Sequence, residues 1–569
     1  MAERCHHRGG IVSNTDTGAG PTTIEFTVGG VADVVAAAIG DRVFISQGDD
    51  HYTHAQVADR SKRLASYLHS RGLGVHTERD ALSGHETGQD LLGIYAYNGN
   101  EYVEALLGAF RSRVAPFNVN YRYVSDELRY LLTDSGASAL IYHAAFAPQL
   151  VEVLPDLPHL KVLVQIADNS GNALLPGAVD YETVIAESSP DSPPVEPSPD
   201  DLYVLYTGGT TGMPKGVLWR QHDIFVAAFG GRNLSTGELA QSYDDIATRV
   251  VDNPGIKIVV LPPLMHGAAQ WAAMQALSTG QSLVFPTVVD HLDPRDIVAT
   301  IEREKAGVVM LVGDAVARPL LTALEDTSAD LTSLFAVANG GAILTPTIKQ
   351  RLIDALPNAI VIDGVGSSET GAQMTHLSTA EAVSTGTFSP GPDTFVLSED
   401  LEKILDAGHD GIGWLAQRGH VPLGYKGDEA KTAKSFPTVA GVRYSLPGDR
   451  ARLLSGGNVE LLGRDSVTIN SGGEKIFVEE VEMAIASHPA VSDVVVAGRP
   501  SDRWGEEVVA LVSLIDGATA DSDTLIDHAG KSIARYKLPK AVLFRSEIQR
   551  SPVGKADYRW ARQQAATGE

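Results

Sequence analysis

The sequence predicts an α/β chain: a large first domain of parallel-sheet α/β units with a small β-rich part, followed by a small α+β domain. Three observations predict it. Apolar strand-like runs alternate with helix-like runs between about residues 91 and 363, the spacing of parallel βαβ units. Beyond Gly411 the texture changes to short β-like segments with glycine-rich turns such as Gly456-Gly457-Asn458. After residues 463–466 the chain reads as a compact mixture of helices and strands.

Residues 1–22 are polar and carry a His-His-Arg cluster but no apolar centre of a secretory signal, so they read as a disordered tail. The chain's one cysteine, Cys5, lies there, which excludes an internal disulfide and fits a reducing compartment. Helices are expected at 31–39 and 53–72; in the second, Val57, Leu64 and Leu68 share one face. The polar, aperiodic stretch 74–89 reads as a surface loop. Strands at 91–96, 114–118 and 139–142 then alternate with helices at 101–111 and 125–135. Five prolines mark 190–200 as a linker.

Past residue 216, a helix is expected at 221–231 and irregular polar chain at 233–253. A buried strand at 256–262 leads into a helix at 269–277 that is rich in alanine. Segments 281–285, 294–304, 308–312, 316–324, 335–339, 345–356 and 359–363 continue the alternation. The β-rich part is read at 413–418, 453–455 and 459–462. The tail domain shows a helix at 478–487, strands at 494–497 and 508–514, and a helix at 522–534. These readings give domains 23–462 and 467–569, with the boundary at 463–466.

The 569 residues are 43% hydrophobic and 20% charged, ordinary for a soluble protein of more than one domain. No window approaches the roughly 18 apolar residues of a membrane span. A net charge of −26 argues against nucleic-acid binding. It also means that any bound polyphosphate must be held by local donors and a metal ion.

Such donors are concentrated in Thr207-Gly208-Gly209-Thr210-Thr211-Gly212-Met213-Pro214-Lys215-Gly216, where three threonines, four glycines and one lysine follow an apolar strand. Glycines let backbone N–H groups approach a ligand, and the hydroxyls and lysine add further donors. A plain glycine-rich hairpin needs neither the threonines nor Lys215. The loop is not a Walker loop, because Pro214 precedes Lys215 and Gly216 follows it.

From Thr207 to Gly216 the chain resembles, at every position, the phosphate loop of the adenylate-forming superfamily: acyl-CoA synthetases, peptide-synthetase adenylation domains and luciferases. Other segments match in order. The resemblance implies that Thr207, Gly208, Gly209, Thr210, Thr211, Gly212 and Lys215 hold phosphates. It implies that Gly340, Gly341 and Ala342, with Asp363-Gly364-Val365-Gly366-Ser367-Ser368, form the nucleotide site, and that Thr207 and Glu369 hold Mg2+. Asp449 and Arg464 match the family's ribose-binding pair. Ser466 falls at the hinge of a mobile C-terminal domain, and Ser471, Gly472, Gly473 and Glu474 fall at the thioesterification site. Lys555 matches the C-terminal lysine of the adenylation step, and His266 lies at the mouth of the acyl site. The implied catalytic set is Thr207, His266, Glu369 and Lys555. Two departures stand out: Val365 replaces an aromatic residue, and Ser466 replaces an aspartate or lysine.

In detail the motifs are similar to those of actinobacterial ligases for fatty acids and steroid carboxylates. The implied activity is ATP-, Mg2+- and coenzyme A-dependent acyl-CoA ligation through acyl-AMP, in the cytoplasm, on a medium- or long-chain fatty acid or steroid side-chain acid. The alanines near 268–276 either leave room for a bulky acid or permit close helix packing. A stand-alone adenylation enzyme, a luciferase-like oxygenase, a non-catalytic sensor of the same fold and a homo-oligomer stay open.

Overall fold

The computed structural model describes residues 24–207, 213–233, 236–383, 386–409, 411–471, 474–501, 503–550 and 555–568. The tail with Cys5, residues Gly208 to Gly212, and Gly472 and Gly473 lie outside the described residues.

Strand pairing gives three sheets among the described residues. In one, Leu202–Thr207, Ala115–Asn118, Leu91–Tyr95, Ala139–His143, Val162–Ile166 and Ala178–Asp180 run parallel. Lys215–Arg220 joins its edge antiparallel to Leu202–Thr207, because the seven residues between them can make a hairpin but not a crossover. In the second, Val43–Gln47, Ser282–Phe285, Lys257–Val260, Val308–Leu311, Ala336–Gly340 and Ile360–Ser367 form the parallel run. From Gly371–Ser378 onward that sheet turns antiparallel and continues into the β-rich part. The sheets are therefore mixed rather than purely parallel. The third, small sheet is built on Val491–Ser501 paired with Gly505–Leu514.

One large core lies between the first two sheets. It takes Leu92, Ile94, Tyr203 and Trp219 from one and Phe44, Val260, Leu283 and Phe285 from the other, with helices Val28–Ile39, Asn100–Arg111 and Gly267–Thr279 between them. The small sheet has its own core around Val481, Ile485, Val496 and Ala510. Among the described residues no helix is long and apolar enough to cross a membrane.

Several element readings are corrected. The stretch 233–253 is not irregular throughout: Tyr243–Asp252 is a helix capped by Ser242, whose side chain accepts from Asp245 N–H. Only Ile246 and Val250 of that helix are buried, too few to show a period in the sequence. The helix after the loop strand stops at Ala227, ahead of Gly230, whose φ of 95° no helix accommodates. The strand expected at 453–455 is Asp449–Leu453; its charged residues hide the alternation, and Leu454 already turns back to Asn458. The helix expected at 522–534 is Ser522–Ala529, ending at Gly530.

Candidate active site

The strand Leu202–Thr207 delivers Thr207 to the mouth of a cavity of about 1150 Å³. Asn118 fixes that delivery. Its amide donates to the carbonyls of Tyr206 at 2.8 Å and Met265 at 2.7 Å, while its oxygen accepts from Tyr206 N–H at 2.8 Å. Thr207 and His266 are thus held relative to each other by one buried side chain. Asn98 adds a second clamp on the same segment, donating to Pro262 O at 3.1 Å and accepting from Leu264 N–H at 2.6 Å.

His266 precedes the helix Gly267–Thr279 and lines the cavity together with Lys555. Burial, with the nearby charges of Lys555 and Arg122, lowers its pKa to about 3. It is therefore a neutral imidazole near pH 7. The alanine-rich helix uses both explanations offered for its composition, one on each face. Ala268 and Ala272 line the cavity, whereas Ala269, Ala273 and Ala276 are fully buried in the core between the sheets.

Ala336–Gly340 and Ile360–Ser367 are neighbouring parallel strands with Gly340 opposite Gly364. Gly340, Gly341, Gly364, Val365, Gly366, Ser367 and Ser368 all line the cavity. Trp219, on the loop strand, donates its indole N–H to Ser368 O at 2.8 Å and so sets the turn before Glu369. Two residues of the expected nucleotide site point elsewhere. Asp363 is buried in an ion pair with Lys349 at 2.6 Å and accepts from Asn339 at 2.9 Å. Ala342 presents its carbonyl to Asn339 at 3.1 Å, and neither Asp363 nor Ala342 lines the cavity.

Glu369 accepts from the hydroxyl of Tyr425 at 2.7 Å, and the ring of Tyr425 carries the ammonium of Lys431 at 3.9 Å. Burial and the Glu369 charge push the Tyr425 hydroxyl well above its ordinary pKa, so it remains a donor. Among the described residues no three His, Cys, Asp or Glu side chains converge on a metal-sized point. A magnesium ion here would take one carboxylate, Glu369, and complete its shell from phosphate oxygens and water, a pattern that suits it.

Asp449 and Arg464 face each other across paired strands, with Nε 3.3 Å from the carboxylate. Burial raises the Asp449 carboxyl, opposed by Arg464; the Asp449 charge in turn raises Arg464. The N–H of Arg464 also reaches Glu479, at 3.3 Å, on the helix Val478–Ala486 of the small domain. Lys555 lies within electrostatic reach of Arg464, Glu369 and Asp449, and burial lowers its amino group below the ordinary lysine range. These charges form one cluster beside the cavity. Lys215 is held in an ion pair with Asp428, and Lys431 lies within electrostatic reach of that pair and of Glu369 and Arg464.

Ser466 lies in the short turn Asp465–Val467 between the strands Val459–Arg464 and Ile469–Ser471. Ser471 and Glu474 face each other at a hairpin and do not line the cavity. Tyr425, Asp428, Arg122 and Lys431 were not anticipated; no local motif marks them, and only the fold brings them to the site.

Residues 32–425 match the family model described as AMP-binding enzyme, and residues 480–555 match the AMP-binding enzyme C-terminal domain. The chain is 70% identical over 547 residues to medium-chain acyl-CoA ligase Mig of Mycobacterium avium, covering 96% of this chain and 100% of that one. It is 42% identical to 3-oxocholest-4-en-26-oate--CoA ligase of Rhodococcus rhodochrous, covering 94% and 95%. Its fold matches anthranilate CoA ligase AuaEII in complex with anthranoyl-AMP at a TM-score of 0.78, with 19% identity over 96% of this chain and 98% of that one. ATP-bound MatB from Rhodopseudomonas palustris matches at 0.77, with 21% identity over 95% and 99%. With both family models matched in order and relatives aligned over nearly the whole length, the chain belongs to the AMP-binding enzymes.

Proposed function

We propose that this AMP-binding enzyme is an ATP- and Mg2+-dependent acyl-CoA ligase for a medium- or long-chain fatty acid or a steroid side-chain carboxylate. The observation that carries the reading is the cavity of about 1150 Å³ with Lys555 and His266 in its wall. Part of that volume belongs to the nucleotide, since Gly340, Gly364 and Ser368 line it. The part along the helix Gly267–Thr279, lined by Ala268, Ala272 and Gln275, leaves room for a medium, long or bulky acid. The names of the Mycobacterium avium and Rhodococcus rhodochrous relatives support the same two substrate classes.

In the first half-reaction a carboxylate oxygen bonds to the α-phosphorus of ATP, and the bond to the β-phosphate oxygen breaks, giving acyl-AMP and pyrophosphate. Lys555 sits over this centre as a point charge that offsets the negative charge developing there. Thr207, Lys215 and Ser368 hold phosphate oxygens, and Asp449 accepts from the ribose hydroxyls beside Arg464. Val365 gives the adenine an apolar contact in place of a stacked ring. Glu369, oriented by Tyr425, would hold the metal, and Mg2+ when bound would neutralise charge on the pyrophosphate leaving group. His266, being neutral, shapes the mouth of the acyl site rather than exchanging a proton.

In the second half-reaction the small domain, residues 467–569, turns about 463–466 with Ser466 as its pivot. This movement takes Lys555 away and brings the Ser471–Glu474 hairpin, with Gly472 and Gly473, towards the centre. The CoA sulfur bonds to the acyl carbon, the bond to AMP breaks, and the thiol proton leaves to solvent. Positioning and charge supply the catalysis, with no covalent enzyme intermediate.

ATP–pyrophosphate exchange, followed by CoA thioester formation, tests the reading across short, medium and long fatty acids, aryl acids and steroid carboxylates. Activation of medium-chain or steroid acids with CoA-dependent AMP release is the expected result. A preference for short or aryl acids would overturn the assignment of substrate size, and exchange without any thioester would overturn the ligase.

A further inference from the structure

The cavity has a polar far wall that neither half-reaction uses. The helix Gly267–Thr279 gives the cavity its length: His266 precedes its first residue and Gln275 is nine residues on, about 13 Å along the axis, and both line the cavity. Gly230 lies against the end of the helix remote from His266. A β-carbon added to it would meet Ser278 at 3.1 Å, Thr279 at 3.4 Å and the Cα of Gln275 at 3.6 Å. Arg232, two residues further, therefore lines the cavity at the end away from His266 and Lys555, donating to Asp393 at 2.6 Å.

Gln373 is tied to the same turn. Its carbonyl accepts from the Gly391 N–H and from the Thr394 hydroxyl, each at 2.9 Å. The residue lines the cavity, is only 4% exposed, and its Nε2 has no hydrogen-bond partner among the described residues. Buried side-chain amides are almost always paired, so an unpaired one in the wall of a ligand cavity points to a partner on the ligand. The cavity wall also includes the apolar side chains Ala227, Ala272 and Met310, suited to an aliphatic body.

We propose that Gln373 reads a hydrogen-bonding oxygen carried by the acid at the end remote from its carboxylate. The preferred substrates are then keto- or hydroxy-substituted acids rather than plain alkyl acids. An amide can donate to either oxygen type and accept from a hydroxyl, so the shared chemistry is a neutral oxygen. A plain alkyl end would leave the amide unpaired, which is how a polar site rejects a deoxy analogue. The inference rests on the acyl-CoA ligase reading and narrows its substrate class.

The test compares kcat/KM for thioester formation within matched pairs. One pair is decanoate and 9-oxodecanoate; the other is a steroid side-chain acid with and without its ring ketone. The oxygenated member of at least one pair is expected to be favoured by about tenfold or more. The pair that shows the preference tells whether the oxygen comes from a chain or a ring. In Gln373→Leu that ratio is expected to fall towards one, and Gln373→Met serves if the leucine variant does not fold. Ratios near one in both pairs for the wild-type protein overturn the inference alone, as does a preference that the folded variant keeps. Failure to activate any acid overturns the ligase reading and the inference with it. The wild-type ratios require no variant, so a misfolded substitution does not remove the test.

Discussion

Lys215 is ion-paired with Asp428, and Asp428 at the same time caps the helix Glu429–Ser435 by accepting from Lys431 N–H at 2.9 Å. The two carboxylate oxygens therefore do separate work. The hydrogen bond from Lys215 is the largest cause holding the Asp428 carboxyl below its ordinary range. Both side chains are partly exposed, and exposed pairs contribute little, so Lys215 can exchange Asp428 for a phosphate at small cost.

Substitutions at Asp428 separate these roles. Asp428→Asn keeps a good cap and removes the charge, so it should leave Tm unchanged and lower KM for ATP by no more than about fivefold. Asp428→Ala should lose about 1 kcal/mol of stability with the cap. A clear rise in KM for ATP in the asparagine variant would mean that Asp428 aims Lys215 at the phosphate instead of competing for it.

Ala272 and Ala273 are neighbours in sequence with opposite surroundings, one lining the cavity and one fully buried in the core. Ala272→Phe is expected to fold normally and to shift preference from the bulkiest acids to shorter ones. Ala273→Phe should overpack the core and cost about 1–3 kcal/mol, lowering Tm without a selective change in acid preference. Equal effects on Tm would contradict the two-faced reading of this helix.

The motifs with local spacing were legible in the sequence, and the cavity was not. Thr207 sits in a run of hydroxyls, glycines and a lysine that suggests a phosphate by residue type, whereas Glu369, Asp449 and Lys555 are marked only by their match to the family's motifs. Asp363 shows the limit of that reading. It lies one residue before the cavity-lining Gly364, yet its charge is taken by Lys349, fourteen residues earlier on a separate helix, and no local pattern reveals that pairing. The cavity wall is gathered from Ala227, Arg232, Ile258, Ala272 and Gln373, which only the packing of both sheets brings together. The same holds for secondary structure. Strongly apolar strands such as Leu91–Tyr95 were plain, while Tyr243–Asp252 and Asp449–Leu453, with few buried residues and many charges, were not.

Histidines with lowered pKa values give the fold an acid sensitivity. Burial lowers the pKa of His54 to about 4, of His143 to about 4 and of His266 to about 3. Each binds a proton more readily unfolded than folded between its folded value and the unfolded value of about 6.5. Stability therefore rises with pH through that window and is lost as pH falls below about 6.5. His266→Gln should flatten the decline of Tm between pH 6.5 and 4, removing at most about 1.4 kcal/mol per pH unit. An unchanged slope would show that His266 does not differ between the two states. The acid limb of the adenylation rate above pH 5 should also be unmoved in this variant, because the imidazole is already neutral there.

Lys555 reaches both the acyl cavity and the Asp449, Arg464 and Glu369 cluster. It comes from the small domain, so its presence there belongs to a single arrangement of the two domains. If that arrangement serves adenylation, Lys555→Ala should lower ATP–pyrophosphate exchange by about a hundred- to a thousandfold. Conversion of preformed acyl-AMP to thioester should stay within a few fold of wild type, since the domain has turned and carried residue 555 away. The pH dependence should split in the same way. Burial and Arg464 hold the ammonium below the ordinary lysine range, so adenylation falls as pH rises through that lowered value, while the thioester step does not follow it. Lys555→Arg keeps the charge and removes the titration, so its adenylation, though slowed by the bulkier fork, should lose the alkaline decline. Equal loss of both half-reactions in Lys555→Ala would sink the two-position scheme, because a residue that leaves the centre cannot limit the step that follows.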